Sequence, residues 1–397
     1  QINPAADFIY NPSYLATISI TIDEADKSKL LAKGNEDSQA YLKCSVLFEN
    51  EKVKESIENV GIRLRGNTSR THPKRSVKLK VTEFDGPKFY GYKKFNLKAE
   101  NNDPSCIREH TSLSVYRAAN VPAARSHFAK VYLNNEYMGL YTNVEQVDDE
   151  FCDTRFNSES GNLYKCNWGA SLSNNNDAYN NGLFELETNK DINDRSILEN
   201  FIDVLNNTSE SEFKTEIEKV LNVDNALRFL AVEAILGHWD GYAYNKNNYY
   251  IHENPESKKI EFIAYDVDNT FGIDWIPGDW AKRDLLNWAS ESEERPLHNT
   301  LLEVPEYYEK YVSILWELLN GPFNEDELFP EFDRLRSMLS DAVENDTYYP
   351  QTFGYDFSDF NKSHTEQVVK HCPYGLKPYV STRTETALDQ LPIINSI

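Results

Sequence analysis

The sequence contains no run of about 18 apolar residues, so nothing in it reads as a membrane-spanning helix. Its five cysteines, Cys44, Cys106, Cys152, Cys166 and Cys372, are odd in number and form no C-x-x-C pair. That argues against a zinc site and leaves a Cys152–Cys166 bridge without support. Internal repeats and low-complexity tracts are absent. Positive charge is scarce: 41 Lys and Arg stand against 64 Asp and Glu, a formal net charge of −23. A surface that acidic repels nucleic acid and anionic membranes, so neither is expected as a partner. A polyanionic ligand would need local cations or metal ions. Gln1 stands where an initiator Met would be, which leads to the expectation of a processed or trimmed chain that has lost an export signal.

What is present suits a large folded protein. At 397 residues the chain can bury a sizeable core as one domain or two lobes. Residues 14–24 and 40–50 alternate apolar and polar side chains and read as strands. "VGIRLRGNTSRTHPKRSVKLKV" reads as a hairpin. In "DPSCIREHTSLSVYRAANV", Asp103 as N-cap and Pro104 at the first helical position predict a helix starting there. A second hairpin turns at Asn134-Asn135. From about residue 148 helical spacing takes over, in "SILENFIDVLNN", "SEFKTEIEKVLN" and "NVDNALRFLAVEAILGHW". A further hairpin spans "NNYYIHENPESKKIEFIAYDVD", and long helical patterns follow. The expectation is an α+β protein of two lobes: a sheet-rich part over 1–147 carrying one helix, and a helix-rich part over 148–397.

Three stretches could carry chemistry. In the first hairpin Ile62, Leu64, Val77, Leu79 and Val81 fall on one face by period two, and Arg63, Arg65, Ser76, Lys78 and Lys80 on the other. With Arg70, Lys74 and Arg75 this concentrates cations in an acidic chain, either as a solvated face or as a phosphate cradle around the "GNTS" turn. Asp240 and Asn245 stand as D-x-x-x-x-N at a helix end. In phosphoryl transfer that spacing lets the Asp meet an acceptor hydroxyl while the Asn oxygen reaches a metal. Asp266 and Asp268 then follow an apolar strand in "YDVDNTFG", where carboxylates are costly unless they hold a cation or a partner. The plainer reading of both motifs is turns whose Asp and Asn side chains cap local amides. A calcium loop does not fit, because the glycine falls at the seventh position and Pro277 takes the place of the terminal Glu. A two-carboxylate glycosidase leaves the basic hairpin unexplained. Next to Trp239, His238 reads as a packing or capping residue.

Taken together, "IRLRGNTSRTHPKRSVKLK", "DPSCIREH", "VYLNNEYMGLYTNVEQVDDEF", "GNLYK", "HWDGYAYNKNNYY" and "YDVDNTFG" resemble the spore coat protein H (CotH) family over roughly residues 15–275. That family is described as an atypical, secreted-type protein kinase with a distant protein-kinase-like fold. The resemblance implies a two-lobed kinase-like architecture, ATP as phosphate donor, Mg²⁺ or Mn²⁺, and a protein acceptor that could be the chain itself. It implies an exported protein, at the cell surface or outside the cell. Asp240 takes the role of catalytic base, and Asn245 and Asp266, with Asp268 as rival or partner, the role of metal ligands. Arg63, Arg65 and either Lys74 or Lys78 would contact the phosphates, with Glu109 as the lysine's ion-pair partner or Arg108 beside it as a phosphate contact. Glu145 stands where a kinase meets adenine. There is no G-x-G-x-x-G loop and no H-R-D triad, so the phosphates would rely on side-chain cations and the "GNTS" turn. The alternatives are a catalytically silent surface or coat assembly protein and, more remotely, a carbohydrate-binding protein using its Tyr and Trp faces.

Overall fold

The computed structural model describes residues 7–158 and 160–392. The chain is a mixed α+β protein of two compact units. One comprises Gln1–His110, Ala124–Glu150 and Phe332–His364, the other Thr111–Ala123, Phe151–Glu331 and Thr365–Ile397. The division is therefore more than a single cut near residue 147. A helix and its lead-out leave the first unit after His110, and a late segment returns to it.

The first unit is built on seven strands: β1 (Ala16–Ile22), β2 (Leu42–Glu49), β3 (Lys54–Leu64), β4 (Val77–Lys80), β5 (Lys94–Lys98), β6 (Ser126–Leu133) and β7 (Glu136–Val144). They run β1-β2-β3-β4-β5-β7-β6, and a parallel pairing of β1 with β6 closes them into a barrel. Closure leaves no sheet edge to aggregate. Period-two patterning fills it: Ala16, Ile18, Ile20 and Ile22 of β1 are buried while Thr17, Ser19 and Thr21 alternate outward. Val46, Phe48, Ile62, Leu79, Phe95, Leu97 and Val131 join the same core. The β6–β7 turn falls at Asn134-Asn135, both at positive φ (48° and 66°), the geometry of a tight hairpin turn that Asn tolerates. Helix α1 (Glu24–Leu31) lies between β1 and β2.

Helix α2 (Arg108–Ala118) begins four residues later than the Asp103-Pro104 pair suggests. Cys106 takes a left-handed conformation (φ 59°), which a helix cannot pass through. Asp103 still caps, at longer range: its carboxylate accepts the backbone N–H groups of Ser105 and Arg108, each at 2.8 Å, and pairs with the Arg108 guanidinium.

The second unit holds strands β8 (Leu163–Cys166), β9 (Phe184–Leu186), β10 (Tyr249–Glu253) and β11 (Ile260–Ala264) in the order β11-β10-β8-β9. Its helices include α3 (Asp149–Phe156, entered from the first unit), α4 (Ser196–Asn207), α5 (Glu210–Val220), α6 (Val223–Leu236), α7 (Tyr242–Asn245), α8 (Pro296–Glu303) and α9 (Pro305–Leu319). All residues of α6 from Asn225 to Leu236 except Arg228 are buried, so it is the spine of this unit. It stops at Gly237, whose φ of +67° is left-handed and where a Cβ would lie 2.3 Å from the Tyr379 hydroxyl. None of the cysteines is joined in a disulfide, and all five are buried. Among the described residues no helix is long and apolar enough to cross a membrane.

Candidate active site

The D-x-x-x-x-N motif and the side chains that hydrogen-bond it belong to the second unit. Once α6 has ended at Gly237, the chain makes one tight turn, His238 to Gly241, and then the single helical turn α7. This sets Asp240 just before α7 and Asn245 at its end, facing each other: Asn245 Nδ2 donates to Asp240 Oδ1 at 2.5 Å. Asn248 Nδ2 donates to Asp240 Oδ2 at 3.0 Å and Asn269 Nδ2 to the same oxygen at 3.2 Å, with Asn247 at the limit, 3.5 Å from Oδ1. Four neutral amides thus surround one carboxylate, and among the described residues no cation hydrogen-bonds it.

Burial raises the Asp240 carboxyl above its ordinary range, and the charge of Asp266 raises it further. The amides of Asn245, Asn247 and Asn269 pull the other way. Asp266 is therefore near enough to be felt as a like charge. It stands just past β11 with φ 52°, a left-handed conformation that a non-glycine residue holds only when its surroundings enforce it. Asp268 is likewise half-buried. His238 is 1% exposed, and burial lowers its pKa to about 4, so it is neutral at physiological pH and serves packing.

The atoms on offer suit a hard divalent cation. With its Nδ2 turned to Asp240, Asn245 has its carbonyl oxygen as the atom that can ligate a cation. The Asn269 Oδ1 is buried without a hydrogen-bond partner. Asp266 and Asp268 add carboxylates, and an all-oxygen donor set fits Mg²⁺ or Mn²⁺ better than softer metals. A second acidic grouping, Asp148, Asp149 and Glu150 in the first unit, has its ligand atoms within 4.8 Å of one another. There the charge is already matched: Lys94 meets Asp148 at 3.1 Å, and Lys93 meets Asp149 at 2.5 Å and Glu150 at 2.7 Å.

The remaining candidates lie in the first unit. Lys74 is 2% exposed, pairs with Asp346 at 2.7 Å and donates to the Leu140 carbonyl at 2.6 Å. Its charge is spent inside the fold. Lys78 is half-buried and sits opposite Arg63 on β3 and Asn96 on β5. The Arg63 guanidinium covers the Tyr41 ring, 5.3 Å from its centroid, and Arg65 donates its N–H to the Ser76 carbonyl. Among the described residues neither arginine pairs with a carboxylate, whereas Arg70 meets Asp37 (3.3 Å), Arg75 meets Glu36 (3.9 Å) and Lys80 meets Glu83 (2.6 Å). The Glu145 carboxylate is buried and clasped by Arg125, at 2.7 Å and 3.1 Å.

Glu109, in the first turn of α2, pairs with neither Lys74 nor Lys78. Its partner is Lys98, at the end of β5, at 2.6 Å, with side chains 12% and 2% exposed. The sequence reading missed Lys98, although "KFNLKAEN" carries a signal: a lysine on an alternating strand just before a helix. It also missed Asn247, Asn248 and Asn269, whose signal was the amide-rich "NKNN" run and the Asn after "DVD". Glu233 on α6, fully buried beside this loop, was passed over as part of an apolar helix pattern.

Residues 62–386 match the family described as CotH kinase protein. The chain is 26% identical over 325 residues to the inner spore coat protein H of Bacillus subtilis, covering 75% of this chain and 88% of that protein. It is 21% identical over 330 residues to the invasin CotH2 of Rhizopus delemar, covering 75% of this chain and 54% of the invasin. With the spore coat protein homolog 1 of the same fungus it shares 25% identity over 284 residues, 66% of this chain and 45% of that one. The chain thus spans about half the length of these fungal relatives. With most of its length matched, the chain belongs to the CotH family.

Proposed function

We propose that this chain is an atypical, two-lobed, kinase-like phosphotransferase that moves the γ-phosphate of ATP to hydroxyl groups of proteins, its own included. The observation that carries the reading is the Asp240 carboxylate, gripped by Asn245 five residues on and facing the charge of Asp266 with only neutral amides around it. In this reading Asn245 Oδ1 and Asp266, with Asp268 beside it, hold Mg²⁺ or Mn²⁺. The metal would offset the phosphate charge that an acidic protein otherwise repels. Lys98, half-buried and paired with Glu109, is proposed in place of Lys74, whose charge is committed to Asp346, for the donor phosphates, with Arg63, Arg65 and Lys78 as further cations. Glu145 marks the strand end proposed to lie by adenine.

The chemistry asks little covalent work of the protein. Asp240 orients the acceptor hydroxyl and takes its proton, the freed oxygen attacks the γ-phosphorus, and the bond to the β-phosphate oxygen breaks to release ADP. The amides around Asp240 favour its ionised form against burial and aim it. The relatives' names, spore coat protein and invasin, support a place in a coat or at a surface.

The second reading is a catalytically silent surface or assembly protein, favoured by the invasin names and by Lys74 being locked into the fold. Thermal unfolding with and without MgATP or MnATP separates the two. A stabilising shift that disappears in Asp266→Ala and Lys98→Met supports the phosphotransferase. No shift in the wild type, together with an Asp240→Asn variant that keeps the biological role, supports the silent protein.

A further inference from the structure

The turn that carries the motif begins without a cap of its own. Gly241 occupies the N-cap of α7 and has no side chain to satisfy the first N–H groups of that helix. Glu233, in the last turn of α6 and 0% exposed, supplies what is missing: its Oε1 accepts from Tyr242 N at 2.7 Å and its Oε2 from Ala243 N at 3.0 Å. A Cβ at position 241 would lie 2.2 Å from that Oε1, so the glycine is required by the carboxylate's approach.

The opposite end of the turn is held by the opposite charge. Arg295, 2% exposed, donates Nη2–H to the Tyr244 carbonyl at 2.7 Å, and Ser290 donates its N–H to the Ala243 carbonyl at 3.0 Å. Two acceptor oxygens at the N-terminus and a cation at the C-terminus match the polarity of the turn. The arrangement is costly for the fold, since burial pushes the Glu233 carboxyl up to about 8 against the pull of its two N–H partners and Arg295. Glutamine could not replace it: one oxygen serves one N–H, and its NH₂ would confront the other.

We propose that Glu233, with Arg295 as its counterpart, is the positioning residue of the phosphotransfer site: it fixes the turn between Asp240 and Asn245 and touches no substrate. This rests on the reading of those two residues as base and metal ligand. Its consequence is a pair of side chains held at 2.5 Å before any ligand arrives.

The test compares Glu233→Gln with Glu253→Gln. Glu253 is a buried carboxylate on β10 of the same unit that accepts from the Tyr164 hydroxyl (2.8 Å) and the Leu198 N–H (3.2 Å), away from the α7 turn. Amide exchange over residues 238–248, Mn²⁺ affinity and phosphotransfer kinetics are read on both variants and the wild type. Glu233→Gln should speed exchange at 241–245 and weaken Mn²⁺ binding about tenfold, as loss of a ligand-orienting partner does. It should lower kcat about 100-fold with KM for ATP little changed, and Glu233→Asp, with both oxygens, should recover part of that. Glu253→Gln should leave all three at wild-type values. Unchanged exchange and unchanged Mn²⁺ affinity in Glu233→Gln would overturn the proposal, as would equal losses in Glu253→Gln. If the wild type transfers no phosphate, the phosphotransferase reading falls, while exchange and Mn²⁺ affinity still decide the role of Glu233. Should Glu233→Gln fail to fold, Arg295→Gln frees the Tyr244 carbonyl and submits the same turn to the same readouts.

Discussion

The two units bury charge in opposite ways. In the first, several ions inside the fold meet their opposites: Lys74 with Asp346, Glu109 with the half-buried Lys98, Arg108 with Asp103, and the acidic run at 148–150 with Lys93 and Lys94. In the second, the Asp240 carboxyl is met by side-chain amides and the Glu233 carboxyl by backbone N–H groups, neutral donors in place of cations. A matched pair is finished business and holds the fold. A carboxylate surrounded by neutral donors keeps its field, and a second acid beside it deepens that field. Net charge alone hides this: the whole chain is acidic, yet the Asp240 carboxyl is met by neutral amides with the charge of Asp266 close by.

The comparison is broken most severely on the paired side. Asp346→Ala strands Lys74 at 2% exposure and removes the acceptor of the Leu140, Tyr348 and Tyr349 N–H groups. A loss of about 3–5 kcal/mol in chemical denaturation is expected. A loss below about 1 kcal/mol would mean that the pair is solvated.

A smaller effect is expected from pH in the second unit. Burial raises Glu253 to about 7, against an unfolded value of about 4.3. Its neutral form is the one the fold favours, so this contribution is complete below about pH 4.3 and is lost as pH rises through about 7. Glu253→Gln mimics the neutral acid. The two proteins should unfold alike near pH 4.5 and diverge as pH rises, the variant becoming more stable by an amount on the order of 3 kcal/mol near pH 8. A constant difference at every pH would show that Glu253 does not titrate there.

The least effect belongs to the surface. Lys54, paired with Glu49 at 3.0 Å and 66% exposed, should cost under about 1 kcal/mol when changed to alanine. Measured beside Asp346→Ala, it separates burial from the mere presence of a pair.

Much of the candidate site was legible in the sequence because it is local. Asp240 and Asn245 are five residues apart, and one turn of backbone decides whether they meet. The strands were legible for the same reason, through period-two patterning, and so was the Asn134-Asn135 turn. What escaped depends on contacts between distant segments. The barrel closes through β1 against β6, a pairing with no local signature. Lys98 joins Glu109 because β5 delivers it beside α2, while Lys74, which looked equally basic, is drawn inward by Asp346 from far down the chain. Cys106 shows the limit from the other side: a local capping rule placed the start of α2 too early, because the left-handed residue that delays it is not one the sequence advertises.

The central proposal is that Asp240 and Asp266 serve phosphate transfer. The measurement that tests it most directly is transfer from γ-labelled ATP, with Mg²⁺ and then Mn²⁺, to the protein itself and to casein, run beside Asp240→Asn and Asp266→Ala. The account predicts label on the wild type and none with either variant, both variants remaining folded. A wild type that takes no label and transfers none, with no MgATP-induced change in melting temperature, would contradict it.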